Sequence, residues 1–249
     1  MTAPTTTRTP AGPERREIAL FSPDRCRTSV KWVRRYLAGA PATLVYLFTL
    51  LVTWWTLQGT DPGLTHHLIV SASTNLHNMR TDPVQVLVTS AFWTDTTGFP
   101  WLMMTGFLIF MVAAERRLGT RRWIATFAVG HVGATVVTVI GIAYALDHNM
   151  LALNIAHASD VGASYGFYAV AAAFALHFTG RRRLICASVL IGYLILCAGY
   201  GQTFTDYGHL AAVAIGFATY PLAPLVARRW AHSRSAQPAP AAQPAPAAA

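Results

Sequence analysis

Arginine clusters that recur between apolar runs, always in alternate gaps, constrain this chain more than any other feature. Six runs stand out, at about Ala42 to Leu57, Phe99 to Ala114, Trp123 to Leu146, Val161 to Phe178, Leu184 to Tyr200 and His209 to Val226. Lys31, Arg34 and Arg35 precede the first, Arg116, Arg117, Arg121 and Arg122 separate the second from the third, Arg181, Arg182 and Arg183 separate the fourth from the fifth, and Arg228 and Arg229 follow the sixth. The remaining gaps carry Arg80 together with Asp61, Asp82, Asp95, Asp147, Asp160 and Asp206. Positive charge held to one side of a membrane is the pattern that orients spanning helices, so the alternation predicts an all-α membrane protein of six transmembrane helices with both termini in the cytoplasm. Several runs are shorter than the ~20 residues that cross a bilayer and must extend into their polar flanks.

Composition agrees with a lipid solvent: 53% of the 249 residues are hydrophobic and 12% charged. The net charge of +9 is dispersed among short clusters rather than gathered on one face, which argues against a nucleic-acid partner. The first apolar run lies behind a long tail carrying Arg15, Arg16, Arg34 and Arg35, so it reads as a retained helix and not a cleaved signal. Residues 1–38 form a basic, partly disordered cytoplasmic tail, 39–230 the membrane domain, and 231–249 a disordered Pro/Ala-rich tail. In the long loop from Gln58 to Gly98, His66 to Leu76 and Val84 to Phe92 are amphipathic enough for short interfacial helices. Cys186 and Cys197, about 16 Å apart along one helix, cannot pair with each other. His66 and His67 are adjacent and diverge on a helix, so neither a metal site nor a cofactor is expected.

Depth sorts the polar residues. Runs four and six both travel inward, which puts Ser164 and His209 in one outer layer, whereas His131 and His177 lie nearer the inner side. A serine becomes nucleophilic beside a base, so Ser164 with His209 forms a sensible dyad. The competing explanation is packing: Gly162 and Gly166 on run four, with Gly208, Ala212 and Gly216 on run six, are also what closely approaching membrane helices require.

Three segments resemble the rhomboid family of intramembrane serine proteases: GASYGFY from Gly162 to Tyr168, GHLAAVAIG from Gly208 to Gly216, and ERRLG from Glu115 to Gly119. The resemblance covers about Ala42 to Val226 and implies a six-helix rhomboid-like bundle. It implies Ser164 as nucleophile, His209 as general base and then acid, Tyr168 packed on the imidazole, and Gly162 as the glycine of the serine motif. The implied reaction is hydrolysis of a peptide bond in or beside a transmembrane segment of a membrane-protein substrate. The long loop between runs one and two would form a lateral wall.

Two departures from that pattern matter. Counting back from ERRLG, the family's oxyanion histidine and asparagine fall on Phe99 and Met103, and neither donates a hydrogen bond. His157, in the outer loop before Ser164, is a candidate replacement donor. Tyr165 stands where the family has glycine after the serine, and its ring would narrow substrate access. Asp160 and Asp206 read as helix caps, and Glu115 as a structural carboxylate among arginines with Gly119 ending its helix. The alternatives to a protease are a rhomboid-fold protein that binds transmembrane clients without cutting them, and a small-solute transporter. The latter lacks buried carboxylates, repeats and a broken mid-membrane helix. The Arg-over-Lys preference and the Ala/Pro-rich tail suggest a GC-rich bacterial genome, and with the six apolar runs the expected location is a bacterial plasma membrane, crossed several times.

Overall fold

Proline and short polar side chains set the starts of the helices on the N-terminal half. The computed structural model describes residues 23–94, 99, 101–153, 155 and 159–235, with 23–26 and 221–235 described by backbone only. All regular structure among the described residues is helical. Helix α1 (Pro23–Ala38) stands by itself as an N-terminal unit. In the main unit, α2 (Pro41–Gln58) places Pro41 in its first turn, where the missing N–H costs nothing. The long loop folds into α3 (Pro62–Ala72), α4 (Leu76–Thr81) and α5 (Pro83–Thr89), capped by the side chains of Asp61, Asn75 and Asp82. The short helices expected in this loop are therefore present, with one more break than the sequence foretold.

The second apolar run is two α-helical pieces, α6 (Trp101–Gly106) and α7 (Val112–Leu118), joined by a π-helical turn at Phe107–Met111. Gly119 ends α7, its positive φ of 81° marking the turn into α8 (Thr120–Asp147). Three more helices follow: α9 (Ser164–Ala175), α10 (Gly180–Gly201) and α11 (Phe204–Ser235). Among the described residues, α8 and α10 are each long and apolar enough to cross a membrane by themselves. Helix α11 extends beyond the expected end at Val226, and both terminal low-complexity stretches fall outside the described residues.

The surface of these helices identifies their solvent. Val45, Phe48 and Trp55 on α2, and Leu184, Val189 and Leu196 on α10, are exposed large apolar side chains. In water such continuous faces would drive aggregation, while in lipid they cost nothing.

Inside, the aromatic core centres on Tyr46, whose ring meets those of Phe92, Phe107, Trp123 and Phe127 and whose hydroxyl donates to the carbonyl of Ala91. Elsewhere small residues govern the packing. A methyl group added at Gly216 of α11 would run into the backbone of Ala169 on α9, so these two helices touch main chain to main chain. Gly166, expected to serve the same contact, instead faces the ring of Phe127 on α8.

One carboxylate on α7 ties the start of α2 to the start of α8. Glu115, 1% exposed, accepts the backbone N–H groups of Ala42 (3.0 Å) and Thr43 (2.7 Å) and the hydroxyls of Thr43 and Thr120 (2.7 Å each). The N-cap of α2, Ala40, has no side chain to offer, so a residue of α7 caps this helix from across the bundle. That gives Glu115 the structural role its surroundings in the sequence implied, and makes it a buried carboxylate where the sequence predicts none, its charge met by four hydrogen-bond donors.

Candidate active site

The approach to Ser164 is built by a glycine. Gly162 has a φ of 129°, a conformation that a side chain resists, and its N–H donates to the carbonyl of Ser90 at 2.8 Å. It therefore stands in the turn before α9 rather than on a small-residue helix face. The turn delivers Ser164 as the first residue of α9. The preceding Ala163 is buried and supplies no capping side chain, which leaves the first-turn N–H groups of Ser164, Tyr165 and Gly166 without a side-chain acceptor from the cap.

His209 lies in the second turn of α11, and two rings of α9 enclose it. The Tyr168 ring is 4.6 Å from the imidazole, centroid to centroid, tilted by 55°. The Tyr165 ring meets it edge-on at 5.5 Å and 71°. Gly208 makes room for this arrangement: a Cβ there would sit 2.5 Å from the Tyr165 hydroxyl and 2.6 Å from that of Thr138. The His209 Nε2 is buried and has no hydrogen-bond partner among the described residues. Ser164 is half-buried, and no hydrogen bond joins it to His209. In resting enzymes such bonds are often long and close only around substrate.

The two acidic residues that the sequence treats alike behave differently. Asp206 and Thr203 form a capping box at the start of α11: the Thr203 N–H donates to the carboxylate (3.1 Å) and the Asp206 N–H to the Thr203 hydroxyl (3.3 Å). Asp160 is no cap. Its carboxylate accepts the hydroxyls of Tyr165 (2.8 Å), Thr74 (3.2 Å) and Thr205 (3.4 Å), tying the long loop, the entry to α9 and the start of α11 together. The same loop contact is closed by backbone bonds, Thr74 N–H to the Asp160 carbonyl and Asp160 N–H to the Ser73 hydroxyl. Desolvation pushes the Asp160 carboxyl above its usual value, opposed by those three hydroxyls.

Phe99 and Met103 are apolar in surroundings as well as in kind. Phe99 packs between the rings of Trp54 (4.8 Å) and Trp101 (4.4 Å), and Met103 lies against the aromatic core. His157 lies outside the described residues. His177 bonds the Ala173 carbonyl at 3.0 Å, away from the site. His131 is closer than its depth along the chain implies: its ring is 6.3 Å from that of Tyr165, and its Nε2 is 3.1 Å from the Ser90 hydroxyl. The Asp160 cluster and the Ser90–His131 pair are parts of the site that local spacing does not reveal.

The sequence model for rhomboid-like proteins matches residues 35–229, well over half of the chain. This chain belongs to the rhomboid-like protein family. No curated protein and no solved structure matches it significantly. Within the match lie all three segments that carry the resemblance, and the rhomboid-like serine and histidine motifs fall on α9 and α11, the helix pair in backbone contact at Gly216 and Ala169.

Proposed function

We propose that this rhomboid-like protein is an intramembrane serine protease of low turnover, cutting peptide bonds in or beside transmembrane segments of other membrane proteins. The observation that carries the reading is the buried, unpartnered Nε2 of His209, enclosed by two rings of the helix that begins at Ser164. A basic nitrogen kept from water and from protein donors is free to take a hydroxyl proton.

In this reading the Ser164 oxygen attacks the scissile carbonyl as its proton passes to His209 Nε2. His209 then protonates the departing amine as the C–N bond breaks. Water, deprotonated by the same nitrogen, releases the acyl group and restores the serine. Phe99 and Met103 offer nothing to the oxyanion, so the uncapped N–H groups of the first turn of α9 are its donors, helped by the positive end of the helix. Each missing side-chain donor costs about a hundred- to a thousand-fold in rate, which is why turnover is low. Six spans with both termini cytoplasmic, in a bacterial plasma membrane, complete the reading on the strength of the arginine placement.

A second reading, a rhomboid-fold protein that holds transmembrane clients uncut, draws on the apolar Phe99 and Met103 and on Tyr165, anchored to Asp160 beside the imidazole. A serine-directed fluorophosphonate probe separates the two. Labelling of the natural chain that disappears in both Ser164→Ala and His209→Ala supports the protease. Labelling that survives either substitution rejects the dyad, and absent labelling with co-purification of single-pass proteins establishes the client binder.

A further inference from the structure

Helix α1 is divided lengthwise into two unlike faces. Arg27, Lys31 and Arg34 follow one another at intervals of four and three and form a single exposed stripe. Val33 and Leu37, together with Trp32 and Tyr36, fall on the other half of the helix, with Val33 46% and Trp32 63% exposed, while Val30 sits at the border, one turn from both Arg27 and Arg34. Within that half the rings of Trp32 and Tyr36 stack 5.2 Å apart. Basic side chains on one half of a helix and aliphatic and aromatic ones on the other are the composition of a helix that lies in a membrane interface.

We infer that α1 lies in the plane of the bilayer surface and recognises anionic phospholipid headgroups through Arg27, Lys31 and Arg34. Only Gly39 and Ala40 separate it from α2, whose exposed Val45, Phe48 and Trp55 face lipid, so the end of α1 is tethered at the membrane surface. The stripe is uniformly positive, which selects anionic headgroups over zwitterionic ones. The matched family region begins at residue 35, so most of α1 is an addition to the rhomboid-like core. This inference does not depend on proteolysis.

The test uses the full chain with Cys26, Cys186 and Cys197 replaced by serine and one nitroxide-labelled cysteine at Ser29 or Val33, central to the apolar half, or at Thr28. The protein is reconstituted in phosphatidylcholine vesicles with or without phosphatidylglycerol. Collisions with oxygen report lipid exposure, and collisions with a water-soluble nickel chelate report aqueous exposure. With phosphatidylglycerol present, Ser29 and Val33 labels favour oxygen and the Thr28 label favours nickel. Each basic residue at an anionic surface is worth about fivefold, so Arg27→Gln with Lys31→Gln and Arg34→Gln lowers the ratio of seated to released helix roughly a hundredfold. An unchanged thermal midpoint shows that the triple variant is folded. Nickel access at Ser29 and Val33 in anionic vesicles overturns the inference. So does an oxygen pattern indifferent to phosphatidylglycerol and to the triple substitution. Shielding from both reagents also overturns it, because a second copy or another protein then covers the face.

Discussion

The Tyr168 ring and the His209 imidazole lie 4.6 Å apart, one turn into α9 and at the head of α11, and this contact fixes where the buried Nε2 can point. The contact is between the two rings, tilted by 55°, so the Tyr168 hydroxyl is not required for it. Tyr168→Phe therefore leaves fluorophosphonate labelling of Ser164 near its natural rate. Tyr168→Leu removes a ring pair worth about 0.5–1.5 kcal/mol and slows labelling roughly 2- to 12-fold, read as the time course of probe incorporation.

Glu115 holds stability rather than chemistry. Glu115→Ala leaves the N–H groups of Ala42 and Thr43 without their acceptor in a buried setting, at a cost of about 3 kcal/mol. For a domain of this size the thermal midpoint in detergent falls by roughly 6–12 °C. Glu115→Gln, which keeps one acceptor oxygen, costs about 1 kcal/mol. Labelling of Ser164 at low temperature stays within about twofold in both variants, as expected for a residue acting only on stability.

Asp160 predicts a pH dependence. Its folded-state carboxyl titrates above the usual value, so the folded chain binds the proton more tightly than the unfolded chain. Stability then falls as pH rises, beginning near the unfolded value of 3.8 and levelling off above the raised folded value. Asp160→Asn keeps an acceptor for the Tyr165 hydroxyl but has no proton to lose. The difference in thermal midpoint between the two proteins should favour Asp160→Asn increasingly across that window, and a flat difference would reject the assignment.

How far the residues could be read in advance depended on how local their partners are. Asp206 was legible as a cap because Thr203 is three residues away, within one helical turn. Asp160 has the same apparent setting, yet its partners are Thr74, 86 positions away, and Thr205, 45 away, and no periodicity reports such contacts. The apolar runs marked the long helices, but the start of α9 depended on Gly162 adopting a positive φ and on Ser90 accepting its N–H. Depth counted along the chain separated His131 from Ser164, whereas packing of α8 on α9 brings His131 beside Tyr165. Gly216 was legible as a small residue, but its partner turned out to be Ala169 rather than a glycine.

The cap on α2 also has a temporal side. Its acceptor lies 72 residues later than Thr43, so the first turn of α2 is synthesised without it. At about 5–20 residues per second, the ribosome supplies Glu115 roughly 4–15 s afterwards. During that interval solvent must satisfy the open N–H groups, and arrival of α7 closes them. The order of translation thus makes docking of α7 the event that finishes α2.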